Sequence, residues 1–104
     1  MIATRCVPFG IGGDIGGSVR IPCEFNGIFG FKGTSDRFTS LGANSLYEDN
    51  FSPLTAPGGR IRAVIGAMGT SIDDVVLGTK LLLHSEANKL DIFAPPMPFN
   101  ETIY

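Results

Sequence analysis

The sequence predicts an α/β chain, because two apolar runs of strand length flank an irregular middle and a segment of clear helical period follows them. Gly27–Lys32 and Ala63–Met68 are short, apolar and bounded by turn formers, the pattern of buried strands. Beyond them Ile72, Val75, Val76, Thr79, Leu82 and Leu83 fall on one helical face. At 104 residues the chain is one domain at most, and short for an enzyme built on a large sheet.

Each element has its own local reason. Residues 1–18 read as a short apolar stretch turning into a glycine loop. Pro22 suits the first turn of a short helix over Cys23–Asn26, where a missing N–H costs little. Thr34 to Gly59 is rich in Ser, Asn, Asp, Gly and Pro, and predicts a long irregular excursion. Ser71 is a strong N-cap for a helix over 72–84, with Asp73 and Asp74 at the positive end of its dipole. His84 and the residues after it close that helix, and Pro95-Pro96-Met97-Pro98 forbids its continuation.

Composition excludes several classes. Hydrophobic residues make up 43% and charged residues 17%, which is globular and not disordered. A net charge of −2 with no basic stripe argues against a nucleic-acid partner. Cys6 and Cys23 stand in no metal-ligand spacing, and the single His84 could not complete a site with them. The expectation is no metal, no cofactor, and two buried thiols in a reducing compartment. Met1-Ile2-Ala3-Thr4-Arg5 leads into no secretory h-region, and no apolar run approaches the ~20 residues of a bilayer span. An intracellular place follows as the expectation, cytoplasmic or peripheral on a membrane.

The chemistry concentrates in Gly10-Ile11-Gly12-Gly13-Asp14-Ile15-Gly16-Gly17-Ser18-Val19-Arg20-Ile21-Pro22. A serine hydroxyl is a weak nucleophile that needs a base and a place for developing negative charge. Glycines serve the second need, since backbone without Cβ approaches a substrate oxygen closely. Other glycine and serine motifs fail. Arg20 stands where a Gly-x-Ser-x-Gly elbow requires glycine, Ser18-Val19 does not supply the Lys-Ser of a phosphate loop, and Ile15 breaks the dinucleotide fingerprint. No Ser-x-x-Lys occurs. A glycine-loop nucleotide-binding module is therefore disfavoured.

The string Gly-x-Gly-x-Asp-x-Gly-Gly-Ser-Val-Arg-x-Pro resembles the core of the amidase signature family of serine hydrolases. Phe25-Asn26-Gly27-Ile28-Phe29-Gly30-Phe31-Lys32-Gly33-Thr34 is similar to the segment that follows, and the spacing of Arg37 and Gly42 agrees. Gly66-Ala67-Met68 is similar to a Gly-Pro-Met segment leading into a helix. Pro95-Pro96-Met97-Pro98-Phe99, ending in Tyr104, looks most like the fatty acid amide hydrolase branch. The family pattern is not followed everywhere: Gly13 replaces a usual Thr, Arg5-Cys6-Val7 replaces small residues, Gly33 and Ala67 replace prolines, and Gly69-Thr70 replaces Ala-Arg.

By that resemblance Ser18 is the acylated nucleophile of an amide hydrolase, and the N–H groups of Ile15, Gly16, Gly17 and Ser18 form its oxyanion hole. Asp14 and Arg20 support the loop; an Asp and an Arg flanking a turn also pair or cap backbone for purely structural reasons. The resemblance also implies an α/β fold, part of a mixed sheet flanked by helices, and a small-molecule amide as substrate, with lipid amides as one class. The family's Ser–cisSer–Lys triad places the lysine and bridging serine upstream, in a Gly-Gly-Ser-Ser-Gly-Gly type segment, and no Gly-Gly-Ser-Ser string occurs here. Lys32, Lys80 and Lys89 are read as solvent-facing. The expectation is one partial amidase domain over 1–104, running from the nucleophile loop through helix 72–84 to a Pro-rich tail, with the upstream part of the domain missing. The alternative is a non-catalytic truncated or degenerate remnant.

Overall fold

The computed structural model describes residues 1–42 and 63–102. In chain order these form β1 (Phe9–Asp14), α1 (Arg20–Asn26), β2 (Phe29–Lys32), β3 (Val64–Gly69), α2 (Ile72–His84) and α3 (Glu86–Leu90). The sheet order is β1-β3-β2, and β3 is antiparallel to both neighbours. β1 and β2 therefore run the same way, joined through α1, with β3 inserted between them. This is a small α/β unit; the three described strands show only antiparallel pairing.

Register assigns each side chain to a face, because opposite residues share one and successive residues alternate. Phe9–Gly69–Phe29 and Ile11–Ala67–Phe31 are rows on one face; Gly10–Met68–Gly30 and Gly12–Gly66–Lys32 are rows on the other. α2 covers the first face. A Cβ added at Gly78 of α2 would stand 3.0 Å from Ala67 Cβ and 3.3 Å from Phe9 Cδ2. α1 covers the second, where a Cβ at Gly30 would collide with Cys23 Sγ. The core follows from this sandwich: Val64, Ala67, Val75, Cys23 and Val19 are all buried.

Several elements depart from the sequence expectation. The glycine loop begins later than its glycines, since Phe9–Asp14 is a strand paired along its length with β3. α1 starts at Arg20, three residues before Cys23, because the Asp14 carboxylate accepts the Val19 and Arg20 amides and so caps the helix from a distance. Gly27 ends α1 in the left-handed region (φ 61°), its N–H reaching Cys23 O and Glu24 O, which delays β2 to Phe29. β2 is not buried: among the described strands it lies at the edge of the sheet, with Phe29 and Phe31 nearly half exposed. Cys6 is exposed, correcting the expectation of two buried thiols, while burial holds for Cys23 and pushes its thiol pKa up.

Helix 72–84 forms as the periodicity indicates. Ser71 Oγ accepts from the Asp74 N–H, and Asp74 Oδ2 accepts from the Ser71 N–H, a reciprocal capping box that holds the Asp74 carboxyl below its usual pKa together with Thr70. Its buried stripe is Val75, Gly78 and Thr79, while Ile72 is exposed. Ser85 then caps α3 through its Oγ, an element the sequence reading does not contain.

The excursion after Thr34 lies largely outside the described residues. Its described beginning is tied to the C-terminal part. The Thr39 N–H donates to Asn88 Oδ1 and the Thr39 hydroxyl to Asp91 Oδ2. The Arg37 guanidinium donates to the carbonyls of Pro95, Met97 and Pro98, and so anchors the Pro-rich tail. Lys80 reaches Glu101 and lies 4.8 Å from the centre of the Phe99 ring.

Candidate active site

The glycine motif divides into a strand and a turn, and the residue at the junction organises both. Asp14 ends β1 and is fully buried. Its Oδ1 accepts from the Gly17 N–H at 2.8 Å and from Arg20 Nη2 at 3.0 Å. Its Oδ2 accepts from the Val19 N–H at 3.2 Å, the Arg20 N–H at 3.3 Å and Arg20 Nε at 3.0 Å. A carboxylate with five donors and no unpaired lone-pair direction is stable as an anion. The Arg20 guanidinium, aided by the three amides, holds the Asp14 carboxyl well below the usual carboxylate range despite burial. Asp14 in turn raises the pKa of Arg20.

This network shapes residues 15–19 into a raised turn. Gly17 has φ +129°, a conformation that disfavours any side chain, and a Cβ there would stand 2.5 Å from Ile21 Cδ1. The conformation directs the Gly17 amide inward to Asp14. Ser18, by contrast, is exposed. Among the described residues its hydroxyl has no hydrogen-bond partner, and the amides of Ile15, Gly16 and Ser18 carry no hydrogen bond. Of the four amides that the resemblance assigns to an oxyanion hole, Gly17 is thus engaged by Asp14, and the other three flank Ser18.

The lysines stand elsewhere. Lys32 Nζ donates to Gly33 O, Lys80 to Glu101 and Lys89 to Glu86. A cleft of about 850 Å³ also stands away from Ser18. It is walled by Phe31, Phe38, Val75, Leu83 and Phe99 on the α2 side, and no residue from Asp14 to Arg20 lines it. Among the described residues no three His, Cys, Asp or Glu side chains gather into a metal-binding group, and no helix is long and apolar enough to cross a membrane. Two contributors to the site were given no role from the motif: Val19, a motif position that is fully buried beside the exposed serine, and Ile21, an undefined position packed beneath Gly17. The sequence signal for their burial is that apolar residues alternate with Ser18 and Arg20.

The small α/β unit thus displays an exposed serine on a strand–turn–helix junction, with buried Asp14 bound to a half-exposed Arg20 organising the turn. Comparison with known proteins names the lineage: the Amidase family model matches residues 1–102, and the chain belongs to the amidase family. It is 35% identical to Amidase 1 of Gibberella moniliformis and 35% identical to Fatty-acid amide hydrolase 1 of Sus scrofa, in both cases over 100% of this chain. It is 38% identical to Vitamin D3 hydroxylase-associated protein of Gallus gallus over 91% of this chain. The chain spans 18%, 17% and 19% of the length of these relatives.

Proposed function

We propose that this chain carries the nucleophile loop of an amide hydrolase, with Ser18 as the residue acylated. The observation that supports it is the display of Ser18: an exposed hydroxyl on a turn whose backbone is fixed from below by one buried carboxylate. In the proposed step Ser18 Oγ bonds to the amide carbonyl carbon, and its proton passes to a base. The carbonyl oxygen becomes an oxyanion that accepts from the amides of Ile15, Gly16 and Ser18, while Gly17 serves by fixing the turn. Collapse expels the amine, which takes up the proton, and water then releases the acyl group from Ser18.

No base for Ser18 stands among the described residues, and all three lysines there have other partners. The proposal therefore takes the base, a bridging serine and lysine in the family manner, from polypeptide other than residues 1–104. On their own these residues should show no measurable turnover. The second reading, a non-catalytic remnant, draws on the same observation. For substrate, the similarity to a fatty-acid amide hydrolase supports fatty acid amides as one class of small-molecule amide.

The test is a chimera in which residues 1–104 replace the matching segment of the porcine relative. Hydrolysis of a fatty acid primary amide that Ser18→Ala abolishes is the expected result. Turnover that survives Ser18→Ala, or fluorophosphonate labelling at Ser35, Ser40 or Ser71 in place of Ser18, would overturn the assignment. A folded chimera without turnover would favour the remnant reading.

A further inference from the structure

Ser18 and Val19 are neighbours with opposite fates: one is exposed and the other has no accessible surface. The Val19 side chain straddles the glycine face of the sheet. A Cβ on Gly12 of β1 would stand 3.3 Å from Val19 Cγ2, and one on Gly30 of β2 would stand 3.4 Å from Val19 Cγ1. Each methyl group thus rests over a glycine on a different edge strand. Met68 of the central strand approaches the same place, 3.0 Å from the Gly12 position. The main chain of Val19 is held as well. Its N–H donates to Asp14 Oδ2 at 3.2 Å, and its carbonyl accepts from the Cys23 N–H at 3.3 Å. A β-branched side chain has little χ1 freedom, so seating its two methyls fixes the direction of its backbone.

We propose that Val19, seated over Gly12 and Gly30, is the positioning residue that sets where Ser18 stands. Its effect on Ser18 rests on the reading of that serine as nucleophile; its effect on the turn does not. The proposal also changes the meaning of the motif. Gly12, with Gly30 from outside the motif, makes room for an apolar anchor, while Gly16 and Gly17 shape the turn itself. Polar and apolar restraints then act on one residue from two sides, Asp14 on the amide and the sheet on the methyl groups.

The experiment compares Val19→Ala and Val19→Thr with wild type by residue-resolved amide exchange on the full chain. Thr keeps the branched shape at Cβ, whereas Ala removes both methyls. Val19→Ala should lower protection of the Gly17, Val19 and Arg20 amides about tenfold more than that of Ala67 and Met68 in β3, a local opening distinct from global unfolding. Val19→Thr should restore most of the difference. Equal loss in turn and strand would reduce Val19 to an ordinary core residue and overturn the proposal, as would an unchanged turn in Val19→Ala. If Val19→Ala does not fold, Gly12→Ala supplies the same comparison by crowding the seat from the β1 side. Fluorophosphonate labelling in the chimera separates the two readings. No labelling of wild type removes the nucleophile reading and leaves the exchange result to decide the turn. Labelling of wild type with an undiminished rate in Val19→Ala would overturn the effect on Ser18.

Discussion

The two faces of the three-stranded sheet solve opposite problems. One carries Phe9, Phe29, Phe31 and Ala67, and is covered by α2 through the buried stripe Val75, Gly78 and Thr79. The other carries Gly10, Gly12, Gly30 and Gly66, and takes Val19 and Cys23 close against the backbone. Large side chains on the first face bury area, and α2 comes close to the backbone there only at Gly69, where an added Cβ would stand 2.5 Å from Asp74 Cβ. Missing side chains on the second bring a turn and a short helix nearly into contact with the strands. Tolerance should differ accordingly: the glycine face is sensitive to added atoms, and the phenylalanine face, away from Gly69 and Gly78, to removed ones.

The largest expected effect lies where the glycine face meets the turn. Asp14→Asn keeps shape but presents two N–H donors where the carboxylate receives five. A loss of about 3 kcal/mol is expected, at the low end for a broken buried pair because Arg20 is half in water. Urea unfolding measures it, and a loss below that of Ser71→Ala would remove the turn's claim to be the more tightly specified region. The acid limb gives an independent reading. Asp14 is depressed in the fold, so between its unfolded pKa near 4 and its lower folded value the unfolded chain binds the extra proton. Its contribution is full above about pH 4 and fades as pH falls further. The decline in urea midpoint below that pH should be shallower in Asp14→Asn, with Asp74→Asn as the control for the other lowered carboxyl.

The second effect tests crowding directly. A methyl on Gly30 would overlap Cys23 Sγ and stand 3.0 Å from Cys23 Cβ. Gly30→Ala should cost about 2 kcal/mol as an overpacked site. Cys23→Ala removes the sulfur it strikes, so the double variant should be less destabilised than the sum by about 1 kcal/mol. Strict additivity would mean that the close approach of α1 to the glycine face is not what limits residue 30.

Legibility in the sequence divides along the same line. Helix 72–84 was readable because its period, its serine cap and its two first-turn aspartates agree, and each is local. The amidase family was readable because a motif of fixed spacing carries it. The extent of β1 was not, since glycines signal turns when read singly, and only pairing with β3, some fifty residues away, makes Phe9–Asp14 a strand. The exposure of β2 was hidden for a similar reason. An apolar run looks the same at a sheet's edge and centre, and Phe29 and Phe31 lie at the edge. Nor could spacing show that Gly17 turns its amide to Asp14, which depends on φ +129°.

A smaller effect belongs to the helix on the phenylalanine face. Ser71→Ala removes one half of the capping box and leaves the Asp74 amide without its acceptor. The expected cost is about 1 kcal/mol, read as a lower urea midpoint with an unchanged slope. Ser71→Asp should recover most of it, because a carboxylate accepts the same bond at the positive end of the helix. A full loss in Ser71→Asp would point to repulsion from Asp73 and Asp74 as the stronger influence on this first turn.

The smallest effect is the sharpest test of the two-face account, because it predicts a gain. Gly13 pairs with Ile65 and lies on the same face as Ile11, beyond the reach of α2. Among the described residues nothing stands within 4 Å of a Cβ placed there, and its backbone is outside the left-handed region. This is also where threonine is usual in the resembled family. Gly13→Thr adds β-branching to a strand interior that glycine leaves loose, and should stabilise by roughly 0.5 kcal/mol. The urea midpoint should rise, with the pH dependence due to Asp14 left as it was. Gly12, one residue earlier on the other face, should respond in the opposite sense, since a Cβ there stands 3.0 Å from Met68 Cε and 3.3 Å from Val19 Cγ2. If Gly12→Thr and Gly13→Thr shift stability in the same direction, the alternation of faces is not what governs these glycines. Opposite signs at adjacent residues would tie the effect to the face, because strand propensity alone treats both positions alike.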